Sequence, residues 1–494
     1  MSHWALNTVI LAATNFLTGT IGFFYRLVLS KYLGPEGMGI YQQTLAFFGT
    51  AITVVTAGIP VSISKLVAEN RADPFKKAHI VFSAFVLTTA FSLFGTAFLI
   101  ILSNALKLKV LLIILPASIF VGYSAVMRGY FFGIQNIAPV QWSNISECIF
   151  RTLLGVFFIS SNLLLQFEGQ TRGAVSALTI GEFISLVLLF TFFSKNINIY
   201  NFRRKNPLIK NIKDILTIAI PISFSQIINS TSHSVEALLV PKSLVMAGLS
   251  SSEGLSLFGK TSGMVLPLIF FPALFIRAMS SNIIPQIATA LASGNKKYAF
   301  KSSQQALFLT SFYSFAVTAF FVALSKPLAE LLFPGYELEN LIIGFAAGIP
   351  FYYIESILMS ILRGIGNNTT PITTAVSTFF MTNLILYFCI TKTPLGIYGY
   401  SVALITASAI AIHISFRQIE QTFGEKFDMM DIILKPLICC AFMTYIMTQV
   451  YMPLVILELP NIICIIADLL FGLSGYLILA LALGIDLKKL KQKY

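Results

Sequence analysis

The chain is 494 residues long, 56% hydrophobic and only 11% charged, with a mean hydropathy of +0.83. That balance excludes a soluble domain built on one large core and points to a polytopic membrane protein. The net charge of +13 does not argue for nucleic acid, because Lys and Arg gather in loops between apolar runs rather than on one basic face with aromatics.

Apolar runs of about 20 residues, each enough to cross a hydrocarbon core of about 30 Å, follow one another with short polar breaks. The fold class expected is all-α, with fourteen transmembrane helices near residues 5–30, 38–64, 80–104, 110–133, 139–160, 173–194, 212–240, 261–290, 305–324, 340–362, 371–390, 396–414, 432–451 and 460–484. The first run is longer than a signal-peptide core and lacks a basic leader, so it reads as a retained span. Cys148, Cys389, Cys439, Cys440 and Cys464 all lie in apolar runs without metal-ligand spacing and read as small buried hydrophobes.

Loops after even-numbered spans carry most of the positive charge: Lys65, Arg71, Lys76 and Lys77, then Arg203, Arg204 and Lys205, then Lys296, Lys297 and Lys301, with Lys488, Lys489, Lys491 and Lys493 in the tail. The positive-inside rule predicts both termini in the cytoplasm. The basic connection 195–213 separates an N-lobe, 1–194, from a C-lobe, 214–430; residues 431–494 add two helices and the tail. Across that connection the chain repeats itself. At one constant spacing Pro60 matches Pro285, Leu66 matches Leu291, Asn70 matches Asn295, Phe75 matches Phe300 and Lys76 matches Lys301. Ile59-Pro60 and Ile284-Pro285 are read as ending the second and eighth spans. Arg128-Gly129 and Arg363-Gly364 then close the fourth and tenth spans. Two six-helix lobes related by a parallel repeat are therefore expected, a pattern typical of transporters.

Charges inside apolar runs are costly and mark bundle interiors or wet cavities. Arg26 lies about seven residues before Gly34-Pro35, roughly 10 Å inside its helix; it either faces a cavity or snorkels to the headgroups. Glu147 and Arg151 are four apart and share a helix face, as a self-satisfied pair or as part of a site. Glu182 stands in the sixth span. Glu236, with His233 three residues earlier, is a candidate proton or cation site. Arg277 follows Pro267 and Pro272 with no acid in its own span, so its counter-charge must come from another helix, water or substrate. Glu355 is a further intramembrane acid, and Asp468 reads as structural. Arg128 and Arg363 are accounted for as helix-end residues. Pro221, Pro267, Pro272 and Pro350 each remove a backbone donor inside an apolar run and suit bent helices. The sequence holds no phosphate loop with Lys, no His-Glu-x-x-His and no Cys-x-x-Cys. It reads as a secondary transporter rather than an enzyme, with no cofactor.

Arg26, the turn Leu33-Gly34-Pro35-Glu36-Gly37 with Tyr41, the run from Gly58-Ile59-Pro60 to Glu69, and Met127-Arg128-Gly129-Tyr130-Phe131 resemble the stage V sporulation protein B group. That group lies in the multidrug/oligosaccharidyl-lipid/polysaccharide exporter superfamily. Val235 to Pro241 resembles its seventh-span ending, with Glu236 where Asp is expected. The resemblance implies two six-helix lobes around a central cavity plus two added helices in the bacterial plasma membrane. It implies a flippase for a lipid-linked anionic glycan, above all the peptidoglycan precursor lipid II, working by alternating access. Arg26, Arg151 and Arg277 would bind substrate, and Glu147, Glu182 and Glu236 would couple to Na+, H+ or the membrane potential. Partners implied are the lipid-linked glycan, membrane lipids and cell-wall synthesis enzymes, with no nucleic acid and no metal. A cation-coupled multidrug exporter and a non-transporting scaffold for cell-wall enzymes are the alternatives.

Overall fold

The computed structural model describes residues 3–56, 58–161, 167–196, 208–367, 369–456 and 460–485. The described residues are helical and contain no strand. The chain divides into two compact units, Met1–Leu239 and Val240–Tyr494. Residues 197–207 of the basic connection, with Arg203, Arg204 and Lys205, and the basic tail from 486 onward lie outside the described residues.

The first unit holds α1 (His3–Thr56), α2 (Ile59–Glu69), α3 (Pro74–Leu106), α4 (Leu115–Gly133), α5 (Ala138–Ser160), α6 (Phe167–Asn196) and most of α7 (Leu208–Met246). The two spans expected on either side of Gly34 form one long helix kinked there (φ 64°, ψ −179°). Between α1 and α2, Gly58 has φ 68°, and a Cβ on it would lie 2.8 Å from the Ala219 carbonyl oxygen of α7. Backbone angle and close approach both require glycine. Pro60 consequently sits in the first turn of α2 rather than ending a span, where its missing N–H costs nothing.

The second unit holds α8 (Ser251–Phe258), α9 (Leu266–Phe270), α10 (Ala273–Ala292), α11 (Lys296–Ala323), α12 (Ser325–Leu332), α13 (Glu339–Ala346), α14 (Ile349–Ile365), α15 (Thr369–Lys392), α16 (Tyr398–Phe423), α17 (Lys435–Ile456) and α18 (Asn461–Ala482). A π-helical segment, Gly259–Val265, joins α8 to α9. The eighth and tenth spans, expected as continuous, are both broken: Ser251–Phe270 and Ala273–Ala292 bend by 55°, Glu339–Ala346 and Ile349–Ile365 by 42°. Pro272 and Pro350, next to these breaks, supply no N–H to the preceding turn. Pro285 does not end its helix; α10 runs through it to Ala292.

Nine helices among the described residues are long and apolar enough to cross a membrane, or eleven if each bent pair is one span. Fourteen spans are consistent with this. The first candidate, Ala13–Glu69, contains two expected spans. The less apolar α4 and α5 are the expected fourth and fifth, and they carry Arg128, Glu147 and Arg151.

The two units are packed alike. In the first, Ile59, Ile63 and Val67 of α2 meet Val126, Met127 and Phe131 of α4, with α3, α6 and Ile215 of α7 closing the core. In the second, Ile283 and Ile287 of α10 meet Ile357, Leu358 and Ile361 of α14, with α11, α16 and Ile432, just before α17, closing it. A Cβ on Gly129 would stand 2.9 Å from the Pro60 carbonyl oxygen, and one on Gly364 would stand 3.0 Å from that of Ile284. Each Arg-Gly pair noted in the sequence thus marks a helix crossing close enough to exclude any side chain. Each third helix also starts on a side-chain cap: Asp73 accepts from the Phe75 and Lys76 amides at 3.0 Å, and Asn295 from Tyr298 at 3.0 Å.

Candidate functional site

The strongest concentration of intramembrane charge lies within the first unit, where α1, α4, α5 and α6 meet. Arg151 Nη1 is 2.8 Å from Glu147 Oε1 on the same face of α5. Gly181 brings α6 onto this pair, since a Cβ there would lie 3.2 Å from both the Arg151 Cβ and the Glu147 carbonyl oxygen. The next residue, Glu182, is therefore within electrostatic reach of Glu147, Arg151 and Arg128. Arg128 Nη2 donates to Ser185 Oγ of α6 at 3.2 Å.

From α1, Arg26 interacts electrostatically with Tyr41 and Arg151, and Tyr41 in turn with Arg151 and Glu147. Tyr25, 3% exposed, fills the space that Gly155 leaves on α5. Three guanidiniums and two carboxylates are thus gathered in one unit, leaving one positive charge in excess. On the same helices several buried polar atoms have no hydrogen-bond partner among the described residues: Tyr25 OH, Gln42 Nε2, Arg128 Nε and both amide atoms of Gln141. Buried polar groups are ordinarily satisfied, so such a cluster calls for water or a polar ligand.

Glu236 occupies a different place. It is 4% exposed in α7, accepts from Ser232 Oγ at 2.8 Å and lies 3.5 Å from His233 Nδ1. A polar seam ties this stretch to α1: Gln43 donates to the Ala237 carbonyl at 2.8 Å, Thr50 Oγ1 lies 2.7 Å from Ser234 Oγ, and Ser234 donates to the Ala46 carbonyl at 2.9 Å. Glu236 is therefore held by its own helix, apart from Glu147 and Glu182.

In the second unit Arg277 is exposed on α10, and among the described residues it forms no ion pair or hydrogen bond. Two tyrosines bond to backbone carbonyls at the helix break that precedes it. Tyr353 OH donates to Ile269 O at 2.8 Å and Tyr313 OH to Pro272 O at 3.1 Å. The two rings stack at 6.3 Å, and Tyr353 is within electrostatic reach of Arg277. Glu355 of α14 accepts from Ser408 Oγ at 2.5 Å.

Of the six candidate residues, Arg26, Arg151, Glu147 and Glu182 are brought together. Glu236 is held in its own seam, and Arg277 belongs to the second unit. Sequence reading placed Tyr41 in a motif without a role at the site and assigned Arg128 to a helix end, whereas both join the cluster. A usable signal was present in Gly181-Glu182 and in Gly155, four residues after Arg151, because small residues beside membrane charges let helices converge on them.

The polysaccharide biosynthesis protein family profile matches residues 5–249. Stage V sporulation protein B of Bacillus subtilis (strain 168) is 26% identical over 422 residues, covering 82% of this chain and 81% of that protein. The lipid II flippase MurJ of the same strain is 20% identical over 414 residues, covering 75% and 74%. Among solved structures, an inward-facing multidrug resistance MATE family transporter of the MOP superfamily superposes with a TM-score of 0.67 at 15% identity, over 80% of this chain and 94% of that one. Fold and relatives together define a multi-pass membrane transporter that shares the fold of that solved structure. Its N-terminal half matches the polysaccharide biosynthesis protein profile, and along most of its length the chain is similar to stage V sporulation protein B.

Proposed function

We propose that this transporter flips a lipid-linked anionic oligosaccharide, specifically the diphosphate-bearing peptidoglycan precursor lipid II, from the cytoplasmic to the outer leaflet of the bacterial plasma membrane by alternating access. The observation that carries the reading is the net-cationic cluster of Arg26, Arg128, Arg151, Glu147 and Glu182 with its unpartnered buried polar atoms. A diphosphate crossing hydrocarbon alone pays a prohibitive desolvation cost, and guanidiniums offset it through charge-assisted, bidentate hydrogen bonds. Similarity to the lipid II flippase supports the substrate class. The basic loops support a topology with both termini cytoplasmic. Glu147 and Glu182, beside the guanidiniums, and Glu236, in its own seam, are the acids to couple transport to Na+ or H+; the membrane potential is the other available driving force. Arg277, from the second unit, is assigned to the substrate as a further cation, and cell-wall synthesis enzymes are the protein partners.

The test is translocation of fluorescent lipid II in liposomes, with a neutral polyprenyl lipid as control. Wild type is expected to move lipid II and not the control. Arg26→Ala is expected to slow it by about tenfold or more, the equivalent of one charge-assisted hydrogen bond. Equal movement of both lipids, or an undiminished rate for Arg26→Ala at normal protein level, removes the proposal.

A further inference from the structure

The last helix holds an acid that the transport reading does not use. α18 buries one stripe, including Ile465, Asp468, Gly472, Tyr476 and Ala480, against the rest of the second unit. Tyr476 OH donates to the Phe312 carbonyl of α11 at 2.9 Å, and Gly472 packs on Met447 of α17. Asp468 sits in the middle of that stripe, about 10 Å along the helix from Asn461. It is 0% exposed, and neither carboxyl oxygen has a hydrogen-bond partner among the described residues.

Nothing nearby neutralises it. From α17, Tyr451 is within electrostatic reach of Asp468, Cys464 and Glu330. From α12 come Glu330 and Lys326, both exposed and not ion-paired with each other. Residues 314–323 of α11 contain no titratable side chain. No group of three His, Cys, Asp or Glu suited to a metal ion exists among the described residues. An ionised carboxylate sealed in such a place is costly, and the smallest ligand that removes the cost is a proton.

We propose that Asp468 is a proton-binding site that lets α18 seat against α11, α12 and α17 when occupied and loosens that contact when emptied. Protonation removes the charge that an apolar junction penalises and converts an acceptor-only group into one that can also donate. The site is independent of the substrate assignment, and its test uses no transport assay.

The full chain in lipid nanodiscs, wild type and Asp468→Asn, is compared by infrared spectroscopy and by thermal unfolding. A protonated-carboxyl carbonyl band present in wild type at neutral pH is expected to be lost in the variant. A carboxyl that is neutral when folded and ionised when unfolded makes stability fall as pH rises. Wild type is therefore expected to lose a few degrees of unfolding temperature between about pH 6 and about pH 9, relative to the variant. An unchanged carbonyl band, or parallel pH dependence in the two proteins, overturns the assignment. So does failure of Asp468→Asn to fold, because an amide of the same shape replaces a neutral carboxyl without loss of charge.

Discussion

The first and second units share a packing scheme and differ in what they do with charge. Both close a core around the second, third, fourth and sixth helices of their repeat and the start of the helix that follows, and both use an Arg-Gly pair at a close helix crossing. The first unit then gathers Arg26, Arg128, Arg151, Glu147 and Glu182 into one interacting set. The second presents Arg277 alone, beside tyrosines that serve a broken helix, and satisfies Glu355 with a serine. Crossings where a backbone touches a backbone tolerate only glycine, so a duplicated frame keeps them. Polar positions away from those crossings are free to diverge, and in this chain they have.

Four substitutions break or sharpen this contrast. Arg151→Ala leaves Glu147 without its ion-pair partner and Glu182 with Arg128 as its remaining cation. Removing one partner of a buried pair costs about 3–5 kcal/mol. Because Arg151 keeps 26% of its side-chain surface exposed, about 2–3 kcal/mol is expected here, read as a lowered unfolding temperature and partly recovered in Arg151→Ala with Glu147→Gln. A fully additive double variant would mean the cluster does not act as a unit. Gly129→Leu and Gly364→Leu each force a side chain into a backbone crossing, with about 1–3 kcal/mol of destabilisation. Similar losses in denaturant unfolding are expected from the two, and a large disparity would show that the frames are not equivalent. The smallest effect on stability belongs to Arg277→Gln, within about 0.5 kcal/mol because the side chain is exposed and unpaired. The same variant is expected to slow lipid II translocation, and an unchanged rate removes Arg277 from the substrate path.

The membrane class, the helical fold and the repeat were legible in the order of residues, since a hydrocarbon solvent permits few solutions and each leaves a long, simple pattern. Arg26, Glu147 and Arg151 were legible because a charge in an apolar run stands out. Arg128 was misread because its position near a helix end offered a sufficient explanation, and only the crossing of α4 with α6 placed it beside Ser185 and Glu182. The tyrosines that cap the break before Arg277 were invisible for a similar reason: Tyr313 and Tyr353 come from α11 and α14, and nothing local ties them to Pro272.

Hydropathy, loop charge and recurring Pro and Gly are properties of short stretches, and they determine what kind of molecule this is without any tertiary contact. Which charges meet is a property of helix packing. It depends on how closely α5 and α6 approach at Gly181, how α1 turns at Gly34, and where α18 buries Asp468. Those contacts join residues far apart in the chain, so their consequences appear only once the helices are assembled.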